Sequence, residues 1–494
     1  MKAVAAQSTG VSSSRRRWPW LLVFVPLVLI AFGVGFSSRL VSHQLDEAIA
    51  RADRLDPHWR LADIEADRQP FPPQGQNGID QLIAIHIAKP RNYGNWSFPK
   101  FEGKPEKLAA IREAMERSLA GNRQMPEVLN EEQLRVLRLE LERASEAVRQ
   151  ARGLVNFPRG RYPIVYAKNV VSTPLDHAQN ARYSVLLLRD DALLRAHSRD
   201  ISGALLDFKA IVHLNRGLGD EPMLITMLIA MSIDQRAVLV LERTLGLGEA
   251  TEKELLEIET YLLEQAQVPY FLIGCRGERA GIDSSLERVQ SGELSVNEFA
   301  TLGGTSWLGG AQEWLNRTYA SLTIKQHRAE ALNLLTDAVE LGKQPMENQQ
   351  AGFLLWDRKI KQMKGWRLAH LLLPPLSKIA DADIRNKASL RSAAVGVACE
   401  RFRLAKGRWP KALEELVPQF LDQLPIDPFD GQPLKMKYSD GTFVVYSVGI
   451  DRVDNGGQLD LPSSQPGSDT GFRLFDLDKR RQPARPFVFE TNDP

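Results

Sequence analysis

The sequence predicts a mainly α-helical protein with a single N-terminal transmembrane helix, an irregular region of helical hairpins and a small α+β module at the C-terminal end. Three observations predict this. Residues Trp18 to Ser38 carry no charged side chain. Apolar residues recur at helical spacing over most of 105–406, whereas strand-like patterns gather after Gly431. The composition is that of a globular protein, 43% hydrophobic and 25% charged, and 494 residues suit two or three domains better than one.

The apolar segment Trp18–Phe36 holds enough helical residues to cross about 28 Å, close to the hydrocarbon thickness of a bilayer. Trp18 and Trp20 sit where interfacial aromatics belong, and Arg15, Arg16 and Arg17 precede them. Mixed charges follow: Arg39, Asp46, Glu47 and Arg51. The positive-inside rule therefore puts residues 1–17 in the cytoplasm as a tail, 18–36 in the membrane and the bulk outside. Cleavage as a signal peptide would deliver the remainder to the same side. No second span is expected.

Residues 37–103 read as stalk and linker. A short amphipathic helix over 40–54 carries Leu45, Ile49 and Ala52 on one face, and 56–78 is punctuated by Pro57, Pro70, Pro72, Pro73, Gly75 and Gly78. Residues 104–376 read as a helical domain. Pro105 opens a helix to about Ala120. Asn130 with Gln133, and Thr251 with Glu254, form capping boxes at two helix starts. The first opens one helix that Gly153 ends. FPRGRYPIVY at 157–166 reads as extended. Helices are expected over about 178–197, 201–216, 222–245, 270–291, 311–341, 350–372 and 377–406, with the Gly-rich loop 302–310 among them. Short turns at 198–200 and 217–220 force antiparallel neighbours. Ala192, Ala204 and Phe208 occupy positions that resemble the packing sites of tetratricopeptide-type hairpins, without a regular repeat.

The module at 377–494, which includes a C-terminal tail, is the most informative stretch. LKMKY and TFVVYSV flank Asp440-Gly441, a strong hairpin signal. Several residues fall in a recognisable order. They are Arg403, Gly407, Arg408 and Pro410; Leu424-Pro425, Asp427-Pro428 and Gly431; Tyr446 to Asp451; and Gly456-Gly457. Residues 390–475 thereby resemble the soluble domain of the major pseudopilin of type II secretion. The whole chain resembles long, membrane-anchored bacterial proteins that carry this module, to which no activity is attached. The resemblance implies a helix packed on a small antiparallel sheet, then a calcium-binding loop. Asp451 and Asp469 match the acidic ligand positions, and Asp460 is a third candidate for a structural calcium ion. No processing site of the pseudopilin kind precedes Trp18, so the module is expected as a reused domain.

Other chemistry finds little support. Net charge is +2 from 63 basic and 61 acidic residues, so no nucleic-acid partner is expected. The histidines form no HExxH pair, and no Gly-x-Ser-x-Gly elbow occurs. No catalytic residue and no cofactor other than calcium is assigned. Cys275 and Cys399 read as buried small hydrophobes, with a disulfide left open. The charges in 275–283 read as ordinary pairs on one helix face, with a buried cluster as the alternative. The expected role is a membrane-anchored extracytoplasmic scaffold for a protein or peptide partner. The alternatives are an accessory part of a type II secretion or pilus-like system, and a hydrolase with an unrecognised site.

Overall fold

In the computed structural model, the described residues are 39–90, 126–295, 310–363 and 375–484, together with Phe24, Ile111, Glu298, Phe299 and Leu373; side chains of 310–322 are excepted. The expected membrane span, the helix expected over 105–120 and the loop at 302–309 lie outside the described residues, save for those single positions.

The chain is mainly helical with one three-stranded sheet. Helix α1 covers 39–55, α2 Leu61–Asp67 and α3 Gly78–Ala88. The stretch 56–78 is therefore not purely a linker. Its prolines sit outside α2, which fits between Arg60 and Arg68. Asn130 caps α4, Glu131–Arg143, through the expected reciprocal box with Gln133. The helix expected to run on to Gly153 breaks at Ala144 and resumes as α5, Ser145–Arg152. Ala144 closes α4 by donating its N–H to Glu140.

The hairpin region follows the expected order closely. Helices α6 (Asp176–His197), α7 (Ile201–Leu218) and α8 (Leu224–Leu247) pack on one another, α10 (Tyr270–Ser291) packs on α8, and α9 (Glu252–Gln265) packs chiefly on the later helix Leu376–Lys406 and not on its sequence neighbours. Thr251 and Glu254 form the second capping box. Helix α11 spans Gly310–Gly342 and α12 Met346–Gln362. By length and a mean hydropathy of 1.8, α8 would pass as a membrane span, which corrects the expectation that no second stretch comes close. Its apolar residues face neighbouring helices instead, with 67% of the most apolar window buried. A helix apolar all round belongs in a core as readily as in lipid.

Helix α13, Leu376–Lys406, governs the arrangement. It lies along α8 and α9 and also carries β2 and β3, with β3 resting on α8 as well. Ala393, Ala394, Val397 and Ala398 are buried, and small residues let sheet and helices approach together. At Gly396 a Cβ would stand 2.6 Å from Phe472 Cδ1 in the sheet. The sheet has order β1-β2-β3, antiparallel throughout, from Lys435–Ser439, Thr442–Ser447 and Thr470–Phe475. Asp440 and Gly441 turn the first hairpin with positive φ of 52° and 77°, the backbone a two-residue turn of this kind demands. One hydrophobic core runs from Ile79 to Leu474, so it continues across residue 376 without interruption.

Candidate functional site

The sheet positions the loop that carries the three candidate aspartates. Strand β2 ends at Ser447, and the chain wanders through 448–469 before β3. Asp469 is 1% exposed. Its carboxylate accepts from the backbone N–H groups of Asn455 (3.3 Å), Gly457 (2.7 Å) and Gln458 (3.1 Å). Burial still pushes its pKa above the ordinary aspartate value, since these amides only partly offset desolvation. Asp451 accepts from Gly467 N at 2.6 Å and Val453 N at 3.1 Å, and the Gly467 amide above all holds its carboxyl below the usual range. Asp460 is ion-paired with Arg473 Nη2 at 2.7 Å. Asp454 accepts from Gly456 N and lies 3.4 Å from Lys435 Nζ.

The structure thus places the three aspartates on one loop but does not gather them on one point. Calcium takes six to eight oxygens around a centre. Among the described residues, no group of three or more His, Cys, Asp or Glu side chains is placed to hold an ion. As they stand, backbone amides engage Asp451 and Asp469, and the Arg473 guanidinium engages Asp460.

Asp427 has the firmest local role. It is 1% exposed and accepts from Ser447 Oγ (2.8 Å), Val448 N (2.8 Å) and Phe429 N (2.9 Å). The Asp427-Pro428 turn, closed by Gly431 at φ +71°, is pinned in this way to the end of β2. Arg403 bonds Glu400 and Glu249 and lies over the Trp409 ring, tying the helix exit to the turn between α8 and α9.

Away from this loop, a buried polar cluster lies where α7, α8, α10 and α13 meet. Asn215 donates to Asp234 (2.6 Å) and to Tyr270 Oη (3.0 Å), and Asn386 donates to the other Asp234 oxygen (3.1 Å). Lys387, fully buried, bonds Val268 O and lies 3.8 Å from Asp383. Burial pushes the Asp234 pKa up to about 6, and the Asn386 and Lys387 groups restrain it. Sequence reading passed over this cluster. The signal was a single Asp in the otherwise apolar run of α8, and Asn386-Lys387 in the midst of a helix rich in alanine.

The charges of 275–283 do not pair along one face, as first expected. They reach other elements and are largely buried. Arg276 and Arg279 both bind Asp56, with Trp59 against Arg279, and Arg328 grips Asp283. Glu278 is pushed up to about 7 by burial. His177 binds Glu221 at 2.7 Å beneath a stacked Tyr162 ring, which seals it from solvent. Cys275 and Cys399 are buried and free, and burial pushes the Cys275 thiol up to about 12.

No protein-family model, curated protein or solved structure matches the chain.

Proposed function

We propose that this is an anchored extracytoplasmic scaffold: a protein held in a bacterial cell membrane by a single span at 18–36, whose helical body displays the C-terminal sheet and loop to a protein partner. The supporting observation is the position of α13. A groove between helical hairpins could take a peptide. Here the chain's own α13 lies along α8 and α9 and bears the sheet, whose strand β3 also rests on α8. The body thus acts as a rigid mount. The partner surface on this reading is the displayed module, not a hairpin groove.

Helix α1 supports the tether. It follows the expected span and lies along α11, with Arg51 bonded to Asp337 at 2.6 Å and Lys325 to Ser42 at 3.1 Å. The body is then held close to the membrane by packing, not by a loose stalk. A groove of about 470 Å³ between the two helices is lined by Glu47, Arg51, Glu330 and Asn333 among others.

A second reading, an accessory part of a secretion or pilus-like system, draws on the sheet, the Asp427 turn and the hairpin, which lie at the residues that carry the resemblance noted above. Two measurements separate the readings. Crosslinking of intact envelopes, followed by capture of the full chain, should return a reproducible protein partner, and its absence would defeat the scaffold. Unchanged secretion and unchanged surface filaments in a deletion strain would defeat the second reading. Solubilisation of the chain by alkaline carbonate would defeat the membrane span.

A further inference from the structure

We propose that the loop 449–469 is closed by the protein's own donors, with the Arg473 guanidinium as its internal cation in the place where a metal ion would otherwise hold it. Four carboxylates lie on the loop, and each has a donor of its own. Asp451 takes two backbone amides, Asp469 takes three, Asp454 takes the Gly456 amide and lies beside Lys435, and Asp460 takes Arg473.

Arg473 is built into the core of the module. It is 5% exposed in the middle of β3, and its backbone N–H donates to Glu242 Oε2 of α8 at 2.9 Å. One residue therefore joins the loop, the sheet edge and the helical body. A guanidinium fixed by a strand is a directional donor, always charged and with no exchangeable ligand shell. It suits a loop that must keep one shape whatever ion concentration surrounds it. The two consecutive glycines at 456 and 457, both at positive φ, turn successive amides toward Asp469 and do the rest of the closure.

The test uses the full chain in detergent, with limited proteolysis of 452–467, thermal unfolding and calorimetry, each in EDTA and in millimolar calcium chloride. The expected result is the same cleavage rate and the same midpoint in both, with no heat of calcium binding. Arg473→Gln should speed cleavage of the loop about fivefold or more. Should that variant fail to fold, Asp460→Asn, which changes a partly exposed residue, should speed the same cleavage. Calcium that slows cleavage in the unaltered chain, raises the midpoint by about 3 °C and loses its heat in Asp451→Ala would overturn the proposal. So would loop cleavage that neither substitution changes.

Discussion

Arg480 reaches back to Glu400, Nη2 to Oε1 at 2.8 Å, so that the segment after β3 is bound to the helix that supports the sheet. Both side chains are nearly inaccessible, at 4% and 0%. Arg480 also donates to Gly248 O, and its neighbour Arg481 donates to Ala196 O, His197 O and Leu247 O. Those carbonyls end α6 and α8, where no intrahelical donor remains. The last described residues thus act as a strap across helix termini. Arg480→Ala should cost about 3–5 kcal/mol, because it leaves a buried carboxylate short of one partner. Denaturant unfolding of the full chain would measure this.

The same pair sets a pH dependence. Burial alone would raise the Glu400 pKa, but the Arg403 and Arg480 guanidiniums outweigh it and hold the carboxyl below its ordinary value. A depressed folded-state value means stability that is present above the unfolded pKa and lost as pH falls through the folded one. Stability should therefore decline below the unfolded carboxylate range, and the decline should be shallower in Arg480→Ala. An equal slope in both proteins would contradict this assignment.

Asp207 has the opposite sign. It is 1% exposed on α7 and close to Asp191, which Arg152 holds in a two-pronged pair at 2.6 and 2.7 Å. Burial first, and then the Asp191 charge, push Asp207 up to about 9 from 3.8. Its contribution is full below 3.8 and fades as pH rises toward 9. Asp207→Asn should raise stability at pH 8 by about 1–2 kcal/mol and flatten the loss between pH 6 and 9. Thermal midpoints across that range are the measurement.

Asp56 is the counter-charge for both Arg276 and Arg279, the latter fully buried. Asp56→Ala should destabilise by about 3–5 kcal/mol and loosen 56–60 from α10. Glu146→Gln, which alters an exposed pair with Arg149 remote from Trp59, should leave stability nearly unchanged. Hydrogen exchange at Trp59 would distinguish the two, since only the first should increase it.

Gly396 tests the helix–sheet contact. A valine there meets Phe472 and should cost about 1–3 kcal/mol, read as a lowered midpoint.

Local grammar carried much of the fold. The two capping boxes, the Asp440-Gly441 turn and most hairpin helices were legible because each depends on a few neighbouring residues. What escaped were long-range partners. Nothing near Arg279 in sequence points to Asp56, and nothing near Asp460 points to Arg473. Periodicity marks Asp234 only as an anomaly in a largely apolar helix and does not single out Lys387 among the other charges of its helix, because their meaning depends on which helices meet. The aspartates proposed as ligands were correctly placed on one loop, but spacing alone could not say that backbone amides and an arginine would already engage them.

The double burial of α13 also sets an order of assembly. Helices α8 and α9 emerge well before the helix that covers them, and at ordinary synthesis rates the gap is on the order of ten seconds. During that interval a nascent chain carries an uncovered apolar face. A fragment that stops before Leu376 keeps it permanently. The body is completed only when its own C-terminal quarter arrives, so the protein matures as a whole, and premature truncation should give sticky, degradable material in place of a smaller working unit.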